Sequence, residues 1–225
     1  QPRDVDLFVE KSRCGANLCL VVDCPEHIRV LSEAGEKAGF TLDLCLDIDM
    51  SYRPLGRFSH LGVRRSPVHS ADQALAVARA ARDLPGVRIK AVMGYEAQIA
   101  SMNDNYPENV FKNKLIRLFK QHSVKELTCR RRQIVDSLRA EGFPLSVVNG
   151  GGSGSLVSTG SDDAVTEVTA GSAFFAPGLF RYFQEVSFEP AAFFGLQVTR
   201  VPAKGWSPAR GAGMWGPARS MPTGF

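Results

Sequence analysis

Several residue classes are scarce in this 225-residue chain, and each scarcity excludes something. There are only four histidines and two tryptophans. No histidine pair follows the cysteines, and Cys14, Cys19 and Cys24 recur every five residues, which is not a zinc-knuckle spacing. With Cys45 and Cys129 the cysteines number five. An odd count in a chain of this length is expected of free thiols in a reducing compartment, so a cytoplasmic location is the expectation. No apolar run approaches the ~20 residues of a membrane span, so no membrane partner is expected. The net charge of +4 is mild, and no stretch interleaves basic with aromatic residues, so nucleic acid is not an expected partner either. The basic cluster Arg130-Arg131-Arg132 lies in a helical pattern and reads as a solvated face. Beyond Phe193 there is no histidine, aspartate or cysteine. Gln1 in place of an initiator methionine is expected of a chain processed or cut from a longer one.

What is present is an ordinary globular composition, 44% hydrophobic and 22% charged. Strand and helix patterns alternate along it. Asp6 to Val9 has the look of a short strand. Leu18 to Val22 is a continuous apolar run of the kind found in buried parallel strands. Pro25 opens a helix that Gly39 stops. Leu42 to Ile48 is the next strand, with Asp47 and Asp49 at its end. Residues 50–69 form a long irregular segment with Arg53, Arg57, Arg64, Arg65, His60 and His69, and loops of that length are often functional. Ser70 begins a helix that Pro85-Gly86 ends, and Val87 to Met93 is a strand. Residues 108–142 read as one long helical segment or two, with Val110, Leu115, Leu118, Leu127, Ile134, Val135 and Leu138 as the apolar stripe. Pro177 to Phe183 reads as a short helix, Phe193 to Val201 as a strand-like run, and 202–225 as irregular. Such alternation predicts an α/β fold with a parallel sheet and right-handed crossovers.

The richest stretch is Leu145 to Ser172. A short strand ends at Asn149 and is followed by six residues that are only glycine and serine, Gly150 to Ser155. A second β-rich run, Val165 to Thr169, ends in Ala170-Gly171-Ser172. Glycine lets a backbone approach an anion closely, and hydroxyls add donors. Paired turns of this kind suit one phosphate held between neighbouring strand ends, as after the last strands of a (β/α)8 barrel. A flexible linker is the plainer alternative.

Four ordered motifs, DIDMSYRPLGRFSHLGVRRSPVHS, VMGYEAQIA, VNGGGSGSL and TEVTAGSAFFAPGLF, carry a family resemblance over roughly residues 18–200. The chain resembles the pyridoxal-phosphate enzymes of the alanine-racemase fold, in particular the D-threonine aldolase and D-serine dehydratase group. The resemblance implies a (β/α)8 TIM-type barrel, here incomplete at its N-terminus, over residues 1–188. The start of a C-terminal β-domain would follow over 189–225. It implies pyridoxal phosphate as cofactor and a D-amino acid as substrate, cleaved by retro-aldol chemistry or deaminated by dehydration. Ser153, Gly154, Gly171 and Ser172, with Gly152, would hold the phosphate, and Asn149 would lie beside it. Tyr95 and Gln98 would line the cofactor or substrate side, Arg53 would contribute to the pocket, and Thr169 would face the pyridine nitrogen. His60 and Tyr95 are the candidate catalytic groups.

The family pattern also has gaps here. Its Schiff-base lysine belongs to an early strand end. None of Lys11, Lys37, Lys90, Lys112, Lys114, Lys120, Lys125 and Lys204 has that context; Lys90 lies early in its strand. The divalent-metal ligands of this branch belong to the C-terminal domain, and no metal ligand is expected in this chain. A homodimer is a further implied assembly. The competing reading is a truncated, non-catalytic remnant that binds at most pyridoxal phosphate or phosphate, and a metal-free phosphosugar barrel enzyme is a third.

Overall fold

The computed structural model describes residues 2–193, 195, 197–200, 209 and 210. Its centre is a five-stranded, all-parallel sheet: β1 Leu20–Val22, β2 Leu42–Asp47, β3 Val87–Gly94, β4 Val147–Gly150 and β5 Glu167–Val168. Strand order in space equals strand order in sequence, β1-β2-β3-β4-β5. Parallel neighbours in sequential order require each crossover to return on the same side. The sheet is therefore an arc of a (β/α) barrel, TIM-barrel-like, and not a doubly wound sheet.

Helices α1 (Pro2–Arg13), α2 (Pro25–Ala38), α3 (Ala71–Arg82) and α5 (Val110–Ala140) are joined by the short α4 (Ala97–Ala100) and α6 (Leu156–Gly160). The long helices cover the outer face of the arc. Side chains alternate along a strand, and Leu42, Leu44, Leu46, Ile89, Val92 and Val148 point outward into the helix layer, each fully or almost fully buried. Ile28, Ala74, Ala78, Leu127, Ile134 and Leu138 meet them from the helices. Burying a side chain of the Leu/Ile class contributes about 1.5–3 kcal/mol, so this outer seam dominates the apolar term. The opposite face is open. Val21, Cys45, Lys90, Met93, Val147, Asn149, Glu167 and Thr169 border a cavity of about 480 Å³ there.

The helix ends follow the sequence signals. Pro25 stands at the start of α2, and Gly39 closes it in a left-handed conformation (φ 62°). Ser70 and Gln73 form a reciprocal capping box at α3. The β2–β3 register shifts between Leu44 and Cys45, so Leu44 faces Ile89 while Cys45 faces Ala91. Lys90 is the extra residue of that bulge. Arg88 Nε and Lys90 Nζ (2.9 Å) both bond to Asp43.

Four expectations are corrected. Asp6 to Val9 is helical, part of α1. Val5, Phe8, Val9 and Ser12 recur at helical spacing, and Phe8 enters the core. The apolar stripe of α5 is buried only from Leu127 onward; Val110, Leu115 and Leu118 are more than half exposed. Among the described residues of the run from Phe193, the strand is confined to β6 (Gln197–Val198), paired antiparallel with β7 (Ala209–Arg210). Ala209 and Arg210 thus depart from the irregular tail expected for 202–225, the rest of which lies outside the described residues. Among the described residues no helix is long and apolar enough to cross a membrane.

Candidate functional site

In a parallel sheet every strand ends at the same edge, and loops after those ends build sites. Here the edge gathers Asp47 of β2, the Gly94-Tyr95-Glu96 turn after β3, the glycine–serine loop after β4 and the Thr169–Ser172 turn after β5. The last two meet directly. Ser153 Oγ lies 3.0 Å from Ser172 Oγ and accepts a hydrogen bond from the Ala173 amide at 2.9 Å. Ser153 and Gly154 open a 3-10 turn that runs straight into α6, and the first N–H groups of a helix have no intrahelical partner. Hydroxyls from two loops, beside the start of a short helix, form a cup with the chemistry of an anion site.

The glycines of this cup differ in what they need. A Cβ on Gly152 would lie 2.7 Å from the Tyr95 ring, and one on Gly154 would lie 2.2 Å from the Ala100 carbonyl oxygen and 2.4 Å from the Phe183 ring. On Gly171 it would meet nothing within 4 Å. Asn149 donates through Nδ2 to Glu167 Oε1 (2.6 Å) and Thr169 Oγ1 (2.8 Å), beside the cup on the inner face.

Beneath the loop lies a buried ion triad. Arg131 donates through one terminal nitrogen to Asp162 Oδ2 at 2.6 Å and through the other to Glu96 Oε1. The three side chains are 2%, 0% and 3% exposed for Arg131, Asp162 and Glu96. Burial lowers the Arg131 guanidinium from its ordinary value, against the pull of Asp162. Glu96 Oε2 accepts the Gly151 amide at 2.7 Å, which ties the glycine loop to the triad. The expectation of a solvated Arg130–Arg132 face is therefore corrected: Arg130 and Arg131 are buried, and only Arg132 is exposed. The apolar periodicity held the signal, since Arg131 falls four residues after Leu127 and three before Ile134.

A second cluster stands on Asp49. Its carboxylate accepts from the Ser51 amide and hydroxyl (both 2.8 Å) and from Arg53. His69 Nδ1 lies 3.2 Å from Asp49 Oδ2 and 3.1 Å from an Arg130 terminal nitrogen. A ring protonated at Nδ1 donates to Asp49; one protonated at Nε2 accepts from Arg130. Burial alone would raise the Asp49 carboxyl, but hydrogen bonds from His69, Ser51 and Arg53 outweigh it and hold the group well below the ordinary carboxylate range. Asp47 goes the other way: burial raises it, and the two bonds from Arg65 (2.7 and 3.0 Å) only partly oppose this.

These directions fix a pH dependence. A depressed carboxyl adds stability that is complete above its unfolded pKa and lost as pH falls below it. The gap in urea stability between wild type and Asp49→Asn is thus expected to shrink as pH is lowered from ~6 through ~4 toward ~2. A gap that stays constant over that range removes Asp49 as the source. Asp47, being raised, contributes a slope of opposite sign in both proteins.

The sequence-derived site residues divide among these groups. Ser153, Gly152, Ser172 and Tyr95 come together at the cup, and Asn149 and Thr169 adjoin it. Tyr95 Oη lies 3.4 Å from Ser101 Oγ. Arg53 belongs to the Asp49 cluster. Gln98 is buried and donates to the Met50 carbonyl (2.8 Å) and Ser123 Oγ (3.2 Å). His60 stands apart, with Nε2 3.1 Å from the Val63 carbonyl oxygen.

A family model described as alanine racemase, N-terminal domain, matches residues 9–177. That span is most of the chain. The chain belongs to the alanine racemase N-terminal domain family. Among curated relatives of this domain, it is 28% identical over 172 residues to 3-hydroxy-D-aspartate aldolase of Paracoccus denitrificans (strain Pd 1222), covering 76% of this chain and 38% of that protein. It is 24% identical over 196 residues to D-threonine aldolase of an Arthrobacter species, covering 84% and 44%. The chain thus spans about two fifths of the length of these relatives. Among solved structures, D-threonine aldolase from Filomicrobium marinum superposes with a TM-score of 0.75 at 21% identity, over 93% of this chain and 50% of that one. D-threo-3-hydroxyaspartate dehydratase from Delftia sp. HT23 gives 0.55 at 23% identity, over 76% and 40%. At these identities the structural likeness concerns the fold: this alanine racemase N-terminal domain is α/β, with a parallel, TIM-barrel-like sheet.

Proposed function

We propose that this chain is a pyridoxal-phosphate-binding portion of an enzyme acting on D-amino acids, by retro-aldol cleavage of D-β-hydroxy amino acids or by dehydrating deamination. The observation that carries the reading is the meeting of the Ser153 and Ser172 hydroxyls, 3.0 Å apart, between the β4 and β5 loops. A phosphate monoester fits there: it needs several donors on one side and a backbone that approaches closely, and the cup offers two hydroxyls and a helix start. Membership of the family and the names of the aldolase relatives support the same reading.

In the proposed arrangement Ser153, Ser172, Gly152, Gly154 and Gly171 bind the phosphate. Asn149 and Thr169 order the inner face beside it. Tyr95 lines the ring side and moves a proton, with Arg53 contributing from the long loop, while Gln98, bonded to Met50 and Ser123, supports the site from behind and His60 stays outside it. Pyridoxal phosphate, when bound, supplies an electron sink for the substrate carbanion. The covalent attachment does not fit the described residues. Lys90 is the one lysine on a described strand, and its Nζ pairs with Asp43 at 2.9 Å, four residues before the strand end. This observation also favours the second reading, a chain that binds the phosphate group without catalysis. Residues 189–225, with the β6–β7 ribbon, are proposed to begin a C-terminal β-domain, and a homodimer is the assembly proposed for the whole enzyme.

Incubation with pyridoxal phosphate, borohydride reduction and peptide mass mapping test this. Binding is expected to protect the Gly150–Ser155 loop from proteolysis or hydrogen exchange, and Ser153→Ala is expected to weaken it. A lysine trapped by borohydride supports the enzyme reading. Protection without a trapped lysine supports the non-catalytic one. With neither, the cup does not bind the cofactor and the proposal fails.

A further inference from the structure

We propose that Asp23, Cys24 and His27 form a binding site for a thiophilic divalent cation of the zinc class, just beyond β1. The backbone brings three different donor types together within five residues. Asp23 is the first residue after β1, Cys24 is the extended residue before α2, and His27 lies one helical turn on from Asp23. One donor atom from each, a carboxylate oxygen, the thiol sulfur and an imidazole nitrogen, lies within 4.8 Å of the others. Asp23 Oδ1 and His27 Nδ1 are already 3.0 Å apart. Cys24 makes no capping bond to the helix, so its sulfur has no backbone role to give up. Spacing among the cysteines alone conceals the site, because its partners to Cys24 are an aspartate and a histidine.

The donor set selects the metal. Magnesium and calcium take oxygen ligands, whereas a thiolate with an imidazole and a carboxylate suits zinc or cobalt. Tetrahedral bonds of about 2.0–2.3 Å put donors roughly 3.5 Å apart, so the Asp23–His27 pair, now 3.0 Å apart, admits the cation by a small adjustment. The His27 side chain, 59% exposed, has room to supply it. Water would fill the fourth position, as in open zinc sites. The start of α2 opposes a cation through its dipole, so the two negative charges of the carboxylate and thiolate are both required. The Cys24 thiol would lose its proton on binding; Glu26 keeps Arg29 at 2.7 Å. Asp23 also bears electrostatically on Asp47 of β2, so a bound cation would act on the site edge of the sheet.

The test is a cobalt(II) titration of the purified 225-residue chain under reducing conditions, followed by zinc. One equivalent of cobalt is expected to give a thiolate-to-metal charge-transfer band and tetrahedral visible bands, both bleached by zinc. Cys24→Ser is expected to abolish them. Asp23→Asn and His27→Ala are expected to weaken binding at least about tenfold. Cys14→Ser and Cys19→Ser, at exposed cysteines outside the site, are expected to leave it unchanged, with unchanged far-ultraviolet circular dichroism confirming that each variant is folded. The proposal is overturned if wild type gives no band, if the band survives in Cys24→Ser, if it vanishes in a control variant, or if both Asp23→Asn and His27→Ala bind cobalt as wild type does.

Discussion

Replacing Arg131 with leucine is expected to lower the stability of the fold by about 3–5 kcal/mol, the cost of breaking a buried ion pair by removing one partner. The substitution strands two carboxylates, Glu96 and Asp162, both almost completely out of contact with water. Each keeps one amide donor, Gly151 for Glu96 and Ala164 (3.0 Å) for Asp162, which is too little to replace the guanidinium. Against a total stability of the usual ~5–15 kcal/mol, a loss of this size removes a large part of the margin. The triple change Glu96→Gln, Arg131→Leu, Asp162→Asn removes the charges together with their partner. It is expected to recover most of the loss, because a neutral replacement of a buried ion group is often close to neutral in stability. Urea midpoints of the two proteins decide the matter. If the single variant falls within ~1 kcal/mol of wild type, or the triple variant is no better than the single one, the triad is not holding the loop.

How much of this was legible in the sequence depended on whether the signal was local. The α2 boundaries, the Ser70 cap and the β2 and β3 strands came from punctuation by Pro, Gly and Ser and from apolar runs, which act within a few residues. The cup was legible for the same reason: both turns carry their glycine and serine in sequence, and the parallel register of β4 and β5 brings Ser153 to Ser172. The Asp49 and Arg131 clusters were not legible. Arg131 and Glu96 are 35 residues apart, and Arg130 and His69 are 61 apart, so only the folded crossovers bring them together. Three consecutive arginines on a helix also read as charge first. The burial of Arg131 is visible only when the 3.6-residue period is carried through it from Leu127 to Leu138. The N-terminal segment shows the mirror image: the short apolar run within Asp6 to Val9 suits a strand, and only the longer spacing from Val5 to Ser12 reveals a helix.

Gly154→Ala is expected to damage the cup most, and Gly171→Ala hardly at all, although both glycines belong to the same glycine–serine pattern. At Gly154 a methyl group would sit 2.2 Å from the Ala100 carbonyl oxygen and 2.4 Å from the Phe183 ring. Neither partner yields easily. Ala100 is backbone in α4, and Phe183 is buried against Phe180 at a centroid distance of 5.5 Å. Overpacking of this kind costs about 1–3 kcal/mol, and relief requires the loop to move outward. Ser153 is the adjacent residue, so the movement separates it from Ser172 and opens the cup. Gly171 has φ −99° and open space around its Cα, so alanine there is expected to change stability by less than ~0.5 kcal/mol. The two variants therefore separate a need for glycine imposed by packing from one imposed by a ligand. If Gly171→Ala nevertheless abolishes protection of the Gly150–Ser155 loop by pyridoxal phosphate while leaving the urea midpoint unchanged, the ligand itself occupies the space at Gly171. If Gly154→Ala leaves both stability and protection intact, the α4 contact does not set the position of Ser153.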